Sequence, residues 1–176
     1  LRAVNQLACF VAFWDHDCDR RLHRLVSYMH ATKGHKLVGW VGNSSSEIDP
    51  HTYADANFAG CLRTLRSTSG IHLSMEGTMT KFPIGAGSVR QPSVAYSTPD
   101  AELASANMAL RKMTLPTLDI MDFLLPKGYR SIFHEDNTAC IQIINTGKNL
   151  SMRYLPRTQG LNIQQLHECF NQADNR

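Results

Sequence analysis

The rhythm of apolar and polar positions changes near residue 35. Before it the spacing is helical: Leu22, Leu25, Val26 and Met29 fall at i, i+3, i+4 and i+7, which gathers them on one side of a 3.6-residue turn. Asp15 to Asp19 put negative charge in the first turn of that helix, and Gly34 suits its far end. Val4, Leu7, Phe10, Val11 and Trp14 predict a partner helix over residues 1–14. From Lys36 onward the pattern becomes short runs, KLVGWV, HTYADANF, GIHLSME and TKFPIG, punctuated by Gly60, Gly70 and Gly77. These predict strands.

A helix follows in STPDAELASANMALRKM, with Thr98 as N-cap, Pro99 at the first helical position and Asp100 in the first turn. Pro116 predicts a break or kink before TLDIMDFLL, and Pro126-Lys127-Gly128 an end. SIFHE then reads as a strand. Asn137–Ile144 reads as a helix with Ile141 and Ile144 inward and Gly147 as its stop, and RTQGLNIQQLHECFNQ as a last helix. GAGS at Gly85 lacks the lysine and flanking helix of a phosphate loop and reads as a turn. A three-stranded antiparallel meander, then helix, strand and helix, is an α+β or mixed-sheet pattern and not a doubly wound one.

Composition narrows the class. With 176 residues and 43% hydrophobic content, the chain is a soluble globular protein with one sizeable core, and no apolar run is long enough to cross a bilayer. It begins at Leu1 and reads as an excerpt of a longer polypeptide. The five cysteines are odd in number and never in C-x-x-C spacing, so neither a disulfide framework nor a zinc ribbon is indicated, and an intracellular setting is expected. A net charge of +3 is compatible with a polyanionic partner and does not argue for one. The eight histidines show no zinc-ligand spacing; His167, beside Glu168, is either a proton shuttle near an acidic site or half of a helical surface pair.

The acids carry more. Asp55 lies on the HTYADANF strand, Glu102 on the first turn of the long helix, and Asp136 at the carboxyl end of the later strand. If the helix packs on the sheet with its N-terminus toward Asp136, and the two strands are neighbours, the three meet at one point. Carboxylates crowded together repel one another, and a divalent cation supplies the compensating charge. Oxygen ligands alone select magnesium or manganese. Each acid also has a plainer reading: Asp136 as the N-cap of the next helix, Asp55 as a solvated strand-end acid, Glu102 as one charge on a wet face.

Taken in order, TYADANFAGC, RSTSGIHLSMEG, VAYSTPDAELASA and FHEDNTACIQI resemble the ribonuclease H domain of copia-type retrotransposon polyproteins, from about residue 35 to residue 168. That family has an Asp-Ala-Asp-aromatic-Ala-Gly strand end, an Arg-Ser-Thr-Ser-Gly hairpin, a Ser-x-x-Glu-Ala-Glu helix start and an Asp-Asn strand end. Here these are Asp55 to Gly60, Arg66 to Gly70, Ser97 to Glu102, and Asp136-Asn137. Residues 1–35 resemble the helical tail of the preceding reverse transcriptase, and residues 36–176 the ribonuclease H-like domain.

The resemblance implies hydrolysis of the RNA strand of an RNA/DNA hybrid by two magnesium or manganese ions. Asp55 would bridge both, with Glu102 and Asp136 completing their shells. It implies Arg63, Arg66, Lys81, Arg90 and Asn137 as hybrid contacts, and the reverse transcriptase portion of the same polyprotein as a partner, with no membrane involved. The departures are Asn57 for the second aspartate, Phe82 for tryptophan, and Gly160 and Asn162 where His and Asp are usual. The family continues with a further strand and a helix that supplies a fourth acid, and both are missing here; Asp174 follows the preceding helix too closely to be that acid. The alternative expectation is a catalytically degenerate remnant that binds nucleic acid or protein through the same fold.

Overall fold

The computed structural model describes residues 1–61, 63–125 and 128–172. The chain falls into two compact units, Leu1–Val38 and Gly39–Arg176. In the first, α1 (Arg2–Ala8) gives way to a 3₁₀ turn at Val11–Phe13 and then to α2 (His16–Ala31), so the expected helix over residues 1–14 is half that length. Asp15 caps α2 by accepting the Cys18 N–H at 2.8 Å. Leu22, Val26 and Met29 on α2 are exposed, so the helical spacing is present but its apolar stripe stays outside the core of this unit. No helix among the described residues is long and apolar enough to cross a membrane.

The second unit is mixed α+β around a four-stranded sheet of order β3-β2-β1-β4. β1 (Asp49–Asn57), β2 (Thr68–Gly77) and β3 (Thr80–Arg90) form the expected antiparallel meander, and β4 (Ile132–His134) lies parallel to β1. Alternation along β1 turns Thr52, Ala54 and Ala56 inward, as a sheet covered on one face requires. KLVGWV is not a strand: only Trp40 makes an isolated bridge, to Lys81, and Leu37, Val38, Trp40 and Val41 are exposed. GAGS is not a turn; Gly85 and Gly87 pair with Leu73 and Ile71 inside β3.

α3 (Thr98–Ala109) packs on β1 and β2 through two small side chains that let the helix approach closely, Ala101 against Ala56 and Ala109 against Ala54 and Ile71. Its N-cap is Ser97, which accepts the Asp100 N–H, so Thr98 is already inside the helix. The regular α-helix is interrupted just ahead of Pro116, where the proline predicts a break. A π-helical turn over Leu110–Thr114 leads directly into α4 (Leu115–Leu124), a wider turn that removes the need for the N–H that proline lacks. Thr114 holds the turn by donating to the Ala109 carbonyl at 3.3 Å, and its hydroxyl lies 3.0 Å from that of Thr52 on β1. Of the expected Pro126-Lys127-Gly128 stop, Pro126 and Lys127 lie outside the described residues.

Behind the sheet, α5 (Thr138–Thr146), α6 (Leu155–Thr158) and α7 (Ile163–Gln172) close the main core with α3, around Leu103, Cys140, Ile143, Leu155 and Leu166. The single helix expected over RTQGLNIQQLHECFNQ is thus two, parted by Gly160 at φ +63°. Ile143 and Ile144 are the buried pair on α5, and Ile141 is exposed. Gly147 ends α5 at φ +67°; a Cβ there would also meet His167 Cγ at 2.8 Å, so both conformation and space call for glycine.

Candidate metal centre

β4 and β1 run the same way, with Thr52 beside Phe133 and Tyr53 beside His134. Continued by two residues, that register sets Asp136 beside Asp55 at the carboxyl ends of adjacent strands, and Glu135 beside the inward-facing Ala54. Across the sheet end, the Ser105 hydroxyl donates to the Asp55 carbonyl at 2.7 Å and ties α3 to β1 at this point. Glu102 lies one turn earlier on the same side of α3. As a result Asp55, Glu102 and Asp136 each offer a carboxylate oxygen within 4.8 Å of the others. Asp55 and Asp136 are exposed, whereas Glu102 is only 4% exposed.

The electrostatics follow from that crowding. Burial, then the charges of Glu135, Asp55 and Asp136, push the Glu102 carboxyl up to about 7, against a hydrogen bond from the Ala56 backbone that favours the charged form. Glu135 is also raised, chiefly by burial and then by Asp136 and Asp55, while the Asn137 N–H, donating to it at 3.1 Å, works the other way. Oε2 of Glu102 and Oε2 of Glu135 are buried with no hydrogen-bond partner among the described residues. A buried, partnerless carboxylate oxygen is costly. The set therefore fits a hard divalent cation: oxygen donors only, converging, and one of them otherwise unsatisfied.

The plainer role for Asp136 is taken by its neighbour. Asn137 caps α5, accepting the Cys140 N–H at 2.9 Å, which leaves the Asp136 carboxylate available. Asn137→Ala is therefore expected to lower stability by about 1 kcal/mol, and Asp136→Asn to change it by less than about 0.5 kcal/mol through capping. Urea denaturation of the two variants in EDTA measures both.

The expected substrate contacts scatter. Arg63 and Arg66 lie in the β1–β2 connection. Arg90, at the end of β3, pairs with Thr68 across from Asn57, at the carboxylate end of the sheet. Lys81 sits at the opposite end of β3, roughly 30 Å along the strand from Arg90, and faces Glu76 at 3.5 Å. Asn162, where the resembled family has an acid, caps α7 by accepting the Gln164 N–H at 3.0 Å and is not among the converging carboxylates. His167 is held by the Ile144 carbonyl at 2.9 Å. Asp174 lies outside the described residues. Glu135 is the group that the sequence reading left unassigned; its signal was strand alternation, which turns one member of the Glu135-Asp136 pair under the helices and the other outward.

Comparisons of this chain with protein-family models, with curated proteins and with solved structures find no match.

Proposed function

We propose that this chain is a metal-dependent nuclease of the ribonuclease H type, hydrolysing the RNA strand of RNA/DNA hybrids. The observation that carries the reading is the convergence of Asp55, Glu102 and Asp136, from two parallel strand ends and a helix start, within 4.8 Å of one another. Support also comes from the ordered resemblance of four motifs and from the antiparallel meander with a parallel fourth strand.

Asp55 and Asp136, exposed at the strand ends, would hold magnesium or manganese from the solvent side, and Glu102 from beneath. Bound there, a divalent cation supplies the charge that activates a water for attack on a phosphodiester and stabilises the leaving oxygen. The protein's own part is positioning. The Ser105 hydroxyl fixes the Asp55 backbone, and the Asn137 cap fixes the turn that carries Asp136. Gly70, paired with Asp55, has no side chain to obstruct a polymer backbone approaching that carboxylate.

The test is cleavage of end-labelled RNA/DNA hybrid, double-stranded DNA and single-stranded RNA, with magnesium, manganese or EDTA. Metal-dependent cutting confined to the RNA of the hybrid is the expected result. Metal binding without cutting of any of the three would favour the second reading, an inert descendant of the same fold. The observation behind that reading is Asn162, an uncharged capping residue outside the carboxylate group.

A further inference from the structure

A second site lies on the flank of α3 away from the carboxylates. The end of β3, the loop after it, the outer side of α3 and the loop after α6 enclose a cleft of about 490 Å³, a size suited to a small organic ligand. Three cations line it, Arg90, Arg111 and Lys112, and no acidic side chain does among the described residues. None of the three makes an ion pair among those residues. Arg111 and Lys112 are carried by the π-helical turn.

Three carboxamides also line the cleft, Gln91, Asn107 and Gln159, and the first and last of them are incompletely bonded. Gln91, 4% exposed, donates from Nε2 to the Ser69 hydroxyl at 3.0 Å and to the Ala101 carbonyl at 2.8 Å. Its Oε1 is buried with no partner among the described residues, and the same holds for both Oε1 and Nε2 of Gln159. The two loops are joined, since the Ser93 hydroxyl donates to the Thr158 carbonyl at 2.9 Å. The partnerless amides are therefore held on one cleft by packed structure.

Buried amide groups without partners are rare, and each calls for a ligand or a water. An inorganic anion would satisfy the cations but leave the amides idle. A ligand with a phosphate at one end and a flat edge of hydrogen-bond donors and acceptors at the other uses both sets, with Met108 and Val89 as apolar wall. We propose that this cleft binds one nucleotide unit, its phosphate on Arg90, Arg111 and Lys112 and its base edge on Gln91 and Gln159. The unit is either a free nucleotide or one residue of a strand. The proposal does not require the carboxylates to be catalytic.

The experiment is calorimetric or NMR titration of the intact chain in EDTA, so that the carboxylate centre takes no part. The probes are inorganic phosphate, the four ribonucleoside 5′-monophosphates and a single-stranded tetranucleotide. At least one monophosphate is expected to bind about tenfold more tightly than phosphate, a difference worth one or two hydrogen bonds. Arg111→Ala, an exposed position that leaves folding intact, weakens nucleotide and phosphate together. Gln159→Ala removes the preference over phosphate and among bases while leaving phosphate affinity in place. A tetranucleotide that binds more tightly than any monophosphate, and is weakened by the same two variants, identifies a strand as the source; weaker binding identifies the free nucleotide. Equal affinity for phosphate and all four monophosphates overturns the proposal, as does binding indifferent to both variants.

Discussion

Glu102→Gln is expected to make the metal-free protein more stable at pH 8 by up to about 3 kcal/mol, and at the same time to abolish its response to manganese. The Glu102 carboxyl is pushed up to about 7 by burial and by its acidic neighbours, against 4.5 for the ordinary group. The folded protein therefore holds this proton more tightly than the unfolded chain does. Its contribution is fully present below pH 4.5 and is lost as pH rises through about 7, so above that pH the folded state carries the whole penalty of a buried charge. About 2.5 pH units at 1.36 kcal/mol each gives the figure. Glutamine keeps the shape and removes the charge. Denaturant midpoints of parent and variant, taken at pH 5 and pH 8 in EDTA, should coincide more closely at the lower pH and part at the higher. Added manganese should then raise the parent's midpoint by mass action and leave the variant's unmoved. A variant no more stable than its parent at pH 8 would refute the account of Glu102.

Hybrid cleavage by Asp55→Asn is expected to fall by at least about 100-fold, the scale seen when one charge-stabilising group is taken from a preorganised centre. Asparagine keeps an oxygen in place but removes the charge facing Asp136 across the two strand ends. Because Asp55 is exposed, the fold should be kept, and in EDTA the thermal midpoint should hold or rise slightly as one charge facing Glu102 is removed. The loss should appear equally in single-turnover rate at saturating substrate and in kcat/KM, with manganese affinity falling in parallel. Cleavage within a few-fold of the parent would remove Asp55 from the centre.

The parts of this structure that can be read in the sequence are those with a local cause. Period-two alternation marks β1 and β2, and Pro99-Asp100 after Thr98 marks the start of α3 within one residue. KLVGWV misleads because an apolar run shows what can be buried and says nothing of what covers it; Val38 and Trp40 are exposed. Asp136 and Asn137 are both able caps, and the choice between them depends on where the strand releases the chain. Adjacent apolar positions on α5 leave the helical phase open: the Ile141–Ile144 spacing points Ile141 inward, and Ile143 takes that place. Strand alternation hints at an inward Glu135, but its approach to Glu102 and the meeting of Gln91 and Gln159 on one cleft depend on segments distant in the chain being brought side by side by the β1–β4 register and the Ser93–Thr158 hydrogen bond.

The wide turn at Leu110–Thr114 acts as a phase shifter between two helices. Each residue advances an α-helix by about 100°, and the π turn takes up one extra. Deleting a single residue there would tighten the junction toward the α-helical pitch, and only by rotating α3 against α4. If α4 and the Thr114–Thr52 contact held their places, Glu102 would swing away from Asp55 and Asp136, and Arg111 and Lys112 would leave the cleft. One unit of helical slack thus sets the aim of two separate surfaces, so a one-residue deletion more than a turn away from Glu102 would misalign both without touching a functional side chain.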